Sequence, residues 1–421
     1  MLFRSVLILG LCGSVLSTIA QQINDSVETD QKKITIEEAV ETTLNNNPNL
    51  TAFKYEIKSL EKIKIQAGLI PNPEAGFEME NFFGGKELNG FQGTEYTIAA
   101  SQLFELGGKR GSRVNLADNE INSALGNYEL IKIDLIARVK TAFINLSEVH
   151  SRILLQRKFI QINEEILMTI SERVKAGRTS PAEESKVKVA LINSQIELQR
   201  LERNYSSAQS VLNSLLGTFE KNIVPSTSIF DKILIPPDKE NLFAELDSIP
   251  TLKYLNNETN LRKAELELEE AQSVPDITVI LGARYLNEIE TNAFIAGLTM
   301  PIPIFDRNQG NIQSAEVRIQ QMDEIIRARK LAVISSLNTS FNNLFSAYNN
   351  SVQLRESILP ESEKAYEITR QGYLQGRFAF IDLLDAQRTL FDTEAQYLLE
   401  LADYYKSLIE LENLTGKTFI K

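Results

Sequence analysis

From Val139 onward apolar residues return at intervals of three and four: Val139, Ala142, Leu146, Val149, Ile153, Ile160, Leu167, Ile170 and Val174, broken by Gln156 and Asn163. A second series runs Val187, Leu191, Leu198, Leu201, Tyr205, Ala208, Leu212 and Leu215, broken only by Ser194. Such spacing keeps one apolar stripe on one helix face, and over several heptads it predicts a coiled coil. The stretch between the two series is Ala176-Gly177-Arg178-Thr179-Ser180-Pro181-Ala182-Glu183. It holds a glycine to end one helix, a serine to cap the next, a proline at the first helical position and a glutamate three residues past the cap. The prediction is a long antiparallel helical hairpin. Gly111 to Gly177 is 66 residues, and an unbroken helix of that length reaches roughly 100 Å, far beyond one globular domain.

Elsewhere the period changes to two. Ala75, Phe77 and Met79 alternate with Glu74, Gly76, Glu78 and Glu80, and Tyr96, Ile98 and Ala100 alternate with Glu95, Thr97, Ala99 and Ser101. Ile277, Val279, Leu281, Ala283 and Tyr285, then Phe294, Ala296, Leu298 and Met300, repeat the pattern. Alternation predicts strands, and about ten residues is the length of a tilted membrane-crossing strand. A pair of soluble hairpins packed on a core gives the same alternation. Phe82, Phe83, Phe91 and Tyr96 flank one predicted loop and Tyr285 and Phe294 the other, as an interfacial aromatic girdle would. In the membrane reading Ala75, Phe77, Met79, Ile98, Val279, Leu281, Ala296 and Leu298 face lipid and their neighbours a lumen.

The chain is written twice. Asn47-Pro48-Asn49-Leu50 returns as Ile249-Pro250-Thr251-Leu252, and Pro73-Glu74 as Pro275-Asp276, both 202 residues on. Gly111 pairs with Gly310, Gly177-Arg178 with Gly376-Arg377, and Leu216-Gly217 with Thr415-Gly416, all 199 residues on. A unit of this length is too long for a solenoid repeat, so half the protein is duplicated. The first copy spans 21–217, with strands near 73–82 and 94–104 and a hairpin over 108–217. Residues 218–248, carrying Pro225, Pro236 and Pro237, form a linker or equatorial region; the second copy spans 249–421, with strands near 275–286 and 292–304 and a hairpin over 307–416. Each copy begins with two helices, the first opened by the capping box Thr35-Ile36-Glu37-Glu38 and the second running from about Leu50 to Gly68. Pro360 should bend the second hairpin.

Residues 1–20 carry one cation, Arg4, then an apolar run and the small-residue ending Thr18-Ile19-Ala20. That is a signal-peptide pattern, cut before Gln21. Cys12 is the weaker alternative, a lipid-anchored cysteine, because it follows Leu11 rather than a small residue. No later segment has 18 apolar residues in a row, so any membrane span must be a β-barrel. The formal charge is -12, with 56 acidic against 44 basic residues, which argues against nucleic acid as a partner. One Cys, one His and no Trp leave little for a zinc site or a His-based triad. His150 has no second donor, so no metal site is assigned, no cofactor is called for, and the reading is not an enzyme. No phosphate-cradling glycine loop appears, so energy for any transport must come from a partner.

Two motifs carry a resemblance: Ser101-Gln102-Leu103-Phe104-Glu105-Leu106-Gly107-Gly108-Lys109-Arg110, and Met300-Pro301-Ile302-Pro303-Ile304-Phe305-Asp306-Arg307-Asn308-Gln309-Gly310-Asn311-Ile312. With the duplication, four strands and two long hairpins, the chain resembles the TolC family of outer-membrane channels, most closely its heavy-metal (CzcC and CusC) branch. The resemblance implies a mainly α protomer with a membrane β-barrel: long coiled-coil hairpins plus four strands, with a homotrimer building a 12-stranded β-barrel continued by an α-helical barrel in the periplasm. It implies an exit duct coupled to a periplasmic adaptor and an inner-membrane pump, set in outer-membrane lipid. Independently of ancestry, both motifs fall where a strand must become a helix, so Gly107-Gly108 frees the turn and Pro301 and Pro303 stiffen it. Lys109, Arg110 and Arg113 there either reach lipid phosphate or stay in water.

The second hairpin tip holds Asp382 and Asp385, three apart and so on one helix face. The resemblance makes them a ring of pore-constricting carboxylates and makes Tyr373 part of the closed entrance. Arg377 falls one place earlier than the family's arginine, with Phe378 in that slot, so the closing contacts differ. Glu183 is the first-copy match of Asp382. The same implication places Gly177, Arg178, Thr179, Ser180, Gly376, Arg377 and Phe378 against the adaptor. Without the resemblance, an Asp pair at a helix start is a solvated pair favoured by the helix dipole. Two alternatives stay open: the outer-membrane channel of a type I protein-secretion or multidrug system, and a periplasmic coiled-coil adaptor that would need no strands of membrane length.

Overall fold

A computed structural model of the chain describes residues 32–86, 90–218 and 223–420. The expected signal peptide, residues 1–20, and the alternative anchor Cys12 lie outside the described residues. In order, the elements are β1 (Lys32–Ile34), α1 (Ile36–Asn46), α2 (Pro48–Ala67), β2 (Glu74–Glu80), β3 (Glu95–Phe104), α3 (Lys109–Lys175), α4 (Pro181–Leu216), β4 (Ile223–Pro225), α5 (Lys239–Ala244), α6 (Pro250–Gln272), β5 (Ile277–Leu286), β6 (Thr291–Thr299), α7 (Gln309–Gln353), α8 (Leu359–Leu374) and α9 (Phe380–Thr415). They form two compact units. Of the described residues, one takes those within 32–50, 131–246 and 334–420, and the other those within 51–130 and 247–333. No helix among the described residues is long and apolar enough to cross a membrane.

The second unit holds a four-stranded antiparallel sheet in the order β2-β3-β5-β6. Its register sets Phe77 opposite Ile98, Ile98 opposite Ala283 and Ala283 opposite Phe294, so one apolar row crosses the whole sheet. Val279 and Leu298, then Ala100, Leu281 and Ala296, form further rows on that face. Period two puts the glutamates on the other. There Arg284 pairs with Glu80 at 2.8 Å and Glu95 at 2.7 Å and donates to the Thr97 hydroxyl at 2.9 Å. β3 and β5 run close to the expected bounds, while β2 and β6 end early. β2 stops at Glu80 because Asn81 and Phe83 both adopt φ +58°, and β6 stops at Thr299, short of 304, because Pro301 and Pro303 offer no N–H for a ladder.

The first unit is built on the helical hairpins. Thr35 and Glu38 make the predicted capping box on α1. Val139, Leu146, Ile170, Val187, Leu201 and Leu212 are fully buried, as the heptads require. The residues that interrupt the heptads meet one another: Gln156 donates to the Ser194 carbonyl at 2.9 Å, Asn163 to the Ser194 hydroxyl at 3.5 Å, and Gln387 of α9 to Asn163 at 3.2 Å. Buried polar side chains must find such partners, and one register satisfies all three.

Near Pro360 the second hairpin widens. α7 and α8 join through a π turn, Leu354–Ile358, where the Leu359 N–H reaches the Leu354 carbonyl. The wide turn falls just before Pro360, where the missing N–H and the ring disfavour a regular i−4 ladder. The linker also has structure that its prolines concealed. β4 pairs in parallel with β1, and the tyrosines at matching positions of the two copies clasp it: Tyr205 donates to the Ile223 carbonyl at 3.2 Å and Tyr404 to the Leu234 carbonyl at 2.6 Å. A buried ion pair, Lys140 with Glu412 at 2.6 Å, then holds the last residues, since Lys140 also donates to the Ile420 carbonyl.

Candidate functional site

The two hairpin tips end their first helices by one device. Gly177 (φ +64°) and Gly376 (φ +74°) are both left-handed. In the first tip the N–H of Gly177 reaches the Val174 carbonyl at 2.9 Å and that of Arg178 the Arg173 carbonyl at 2.8 Å. In the second, Gly376 reaches Tyr373 at 3.0 Å and Arg377 reaches Gly372 at 2.8 Å. Both are Schellman motifs, which glycine permits without steric cost.

The returning helices start differently. Ser180 caps α4, its hydroxyl accepting the Ala182 N–H at 3.2 Å, with Pro181 at the first position. Glu183 accepts the Thr179 hydroxyl beside it. In the second tip Ala379 has no side chain to cap α9, and the Asp382 carboxylate instead accepts the Ala379 N–H at 2.9 Å. Asp382 therefore holds backbone as well as charge. Asp385 stands one turn on, also exposed. The two aspartates line a groove of about 650 Å³ together with Glu197, Asp392 and Arg388.

Tyr373 lies in the apolar core of the tip, 7% exposed, packed with Ile170, Val187, Phe380 and Leu383. Its hydroxyl makes no hydrogen bond within the described chain. The Arg377 side chain is exposed and makes no ion pair there either. Phe378 lies over Gly372 so closely that a Cβ at Gly372 would come within 2.0 Å of its ring.

One residue went unseen in the sequence. Arg173, in the last turn of α3, sits 4.9 Å over the Tyr373 ring and donates to the Leu374 carbonyl at 3.3 Å, tying the first hairpin to the second. Its only sequence signal is a cation near a helix C-terminus, because the partner lies 200 residues away.

At the turn from β3 into α3 the cations have partners within the chain. Lys109 pairs with Asp276 at 2.6 Å, Arg110 donates to the Gly68 carbonyl at 2.6 Å, and Arg113 pairs with Glu105 and reaches the Ala67 and Leu69 carbonyls at 3.2 Å each. These cations stitch the turn together, Arg110 while remaining exposed. Glu105 raises the Arg113 pKa above its usual value by accepting its hydrogen bonds.

The family described as Outer membrane efflux protein matches residues 39–218 and 245–417. The cobalt-zinc-cadmium resistance protein CzcC of Cupriavidus metallidurans is 30% identical over 384 residues, covering 91% of this chain and 90% of that one. The nickel and cobalt resistance protein CnrC of the same organism is 23% identical over 273 residues, 65% of this chain and 64% of that one. A crystal structure of CusC superposes with a TM-score of 0.75 at 16% identity, covering 91% and 92% of the two chains. Two family matches, one on each copy, and a relative aligned along nearly its full length agree with the hairpins and sheet: this chain belongs to the outer membrane efflux protein family.

Proposed function

We propose that three copies of the chain close one 12-stranded barrel in the outer membrane, continued by a periplasmic barrel of helices, and that the assembly is the passive exit duct of a tripartite pump exporting divalent heavy-metal cations. The observation that carries this reading is the four-stranded sheet, whose outer strands β2 and β6 have no further partner among the described residues and whose one face is apolar. A strand edge with free N–H and C=O groups cannot sit in hydrocarbon. Three sheets joined edge to edge remove every edge. The cargo follows from the relatives that resist cobalt, zinc, cadmium and nickel. A periplasmic adaptor would meet Gly177, Arg178, Thr179, Ser180, Gly376, Arg377 and Phe378, and an inner-membrane pump would supply the energy.

In this reading Asp382 and Asp385, with Glu183 behind them, ring the periplasmic mouth. Arg377, exposed at the tip, reaches a neighbouring protomer, while Tyr373 holds the tip from within its apolar core. Carboxylates converging on a narrow opening attract cations and repel anions. Because Asp382 also accepts a backbone N–H, Asn at both positions removes charge while keeping an acceptor. In planar bilayers the double variant Asp382→Asn, Asp385→Asn should lose cation preference and block by polyvalent cations while the trimer persists in detergent. A variant that keeps both properties leaves the aspartates as helix starts only. A monodisperse monomer with a closed barrel of its own overturns the assembly.

A further inference from the structure

The apolar alternation of β6 does not stop where its ladder stops. Phe294, Ala296 and Leu298 on the sheet are followed by Met300, Ile302 and Ile304, the same even positions carried across Pro301 and Pro303. Ile302 is 76% exposed and Phe305 is 89% exposed, and Met300 and Ile304 are more than half exposed. An inverse γ-turn across Pro303, with the Ile304 N–H on the Ile302 carbonyl at 2.9 Å, turns the chain without burying these side chains. Two residues past Phe305 stands Arg307, exposed and in no ion pair among the described residues, although Lys109, Arg110 and Arg113 at the matching turn are all engaged. Four bare apolar side chains continuous with a lipid-facing stripe, closed by a free guanidinium, have the chemistry of an interfacial segment.

We propose that residues 300–307 lie in the bilayer interface at the barrel end where β6 leads to α7. Met300, Ile302, Ile304 and Phe305 sit among the upper acyl segments and Arg307 on a lipid phosphate, and together they fix the depth of the barrel. The inference rests on the barrel reading above. The same run could instead be covered by Leu69–Pro73 of a neighbouring copy, which leads into the other open edge, β2. Continuity with the sheet's apolar row and the free cation favour lipid.

The chain has no tryptophan, so each introduced Trp reports one position. Full-length Leu281→Trp, Ile302→Trp, Phe305→Trp and, on α4, Ile192→Trp are reconstituted in phosphatidylcholine and phosphatidylglycerol vesicles brominated either high or low on the acyl chain. Trimer mobility on unheated gels confirms folding. Ile302→Trp and Phe305→Trp should lose most of their emission to the high bromines, Leu281→Trp should be quenched by the low ones, and Ile192→Trp by neither. Adding Arg307→Glu should weaken quenching of Ile302→Trp, and unchanged quenching removes the phosphate contact. If Leu281→Trp is quenched and the two loop positions are not, a protein neighbour or water covers the run and the inference falls. If Leu281→Trp is itself unquenched, the barrel reading fails instead.

Discussion

The turn from β3 into α3 and the turn from β6 into α7 do the same job in the two copies, by opposite means. In the first, two glycines at φ +68° and +75° carry the chain from strand to helix, and Lys109, Arg110 and Arg113 bind it to residues beside the neighbouring strands and helix. In the second, prolines stiffen an extended run, Asn308 supplies the left-handed residue at φ +59° and donates to the Glu269 carboxylate at 2.6 Å, and the apolar side chains stay bare. A repeated topology thus fixes where a turn must be, while leaving open whether contacts inside the chain or outside it hold that turn.

The comparison breaks hardest at Gly107. A Cβ there would lie 2.6 Å from Val274, on a backbone at φ +68° that L side chains avoid. Gly107→Ala should cost about 3 kcal/mol, combining left-handed strain with overpacking. Gly108→Ala meets nothing within 4 Å and should cost about 1 kcal/mol from conformation alone. Urea midpoints in detergent separate the two variants, and equal costs would mean that Val274 does not close the turn.

A smaller effect tests the stitching. Arg113→Met leaves Glu105, 14% exposed, without its cation, and an unpaired, largely buried carboxylate should cost about 2 kcal/mol. Arg307→Met in the second copy removes an exposed, unpaired charge and should stay within about 0.5 kcal/mol in detergent. Comparable losses would show that the second junction is also held by internal charge.

Most of this architecture is legible in the sequence because it rests on periodicity. The hairpins follow from Val139 to Leu215, the strands from Ala75 to Met300, and the tips from Gly177 and Gly376, each a local pattern with a local cause. What stays hidden depends on residues far apart in sequence: Arg173 over Tyr373, Lys109 on Asp276, and Lys140 on Glu412. Gln156, Asn163 and Ser194 are visible only as flaws in the heptads. Their pairing across α3 and α4 appears once the hairpin closes, and Gln387 of α9 adds a further bond to Asn163. The second tip shows another limit, since Asp382 reads as a pore charge and the structure adds its bond to the Ala379 N–H.

The tips give a third contrast, near 1 kcal/mol. Ser180→Ala deletes the cap of α4 and should cost about that much. Ala379 already has the extended cap conformation, φ -74° and ψ 156°, so Ala379→Ser should stabilise α9 by up to about 1 kcal/mol. Opposite shifts in the thermal midpoint of the trimer are expected. A destabilising Ala379→Ser would mean that the hydroxyl displaces Asp382 from its backbone bond.

The smallest contrast is a matter of pH. His150 in the first copy corresponds to Asn349 in the second, 199 residues on, and its half-buried ring stands 5.7 Å from that of Tyr205. Burial pushes its pKa below the usual histidine value, and the charges of Arg157 and Lys33 push it further down. With the folded pKa below the unfolded one, the unfolded chain takes up the proton first as pH falls. Stability is therefore complete above about 6.5 and declines as the medium is acidified through the folded value. His150→Asn gives the first copy the residue of the second and should flatten that decline, leaving the carboxylates to set what remains. Thermal midpoints of wild type and variant at a series of pH values decide it: the two should converge near neutrality and diverge toward about pH 5, with the variant higher. Parallel curves would assign the acid sensitivity to other groups and remove His150 from the differences between the copies.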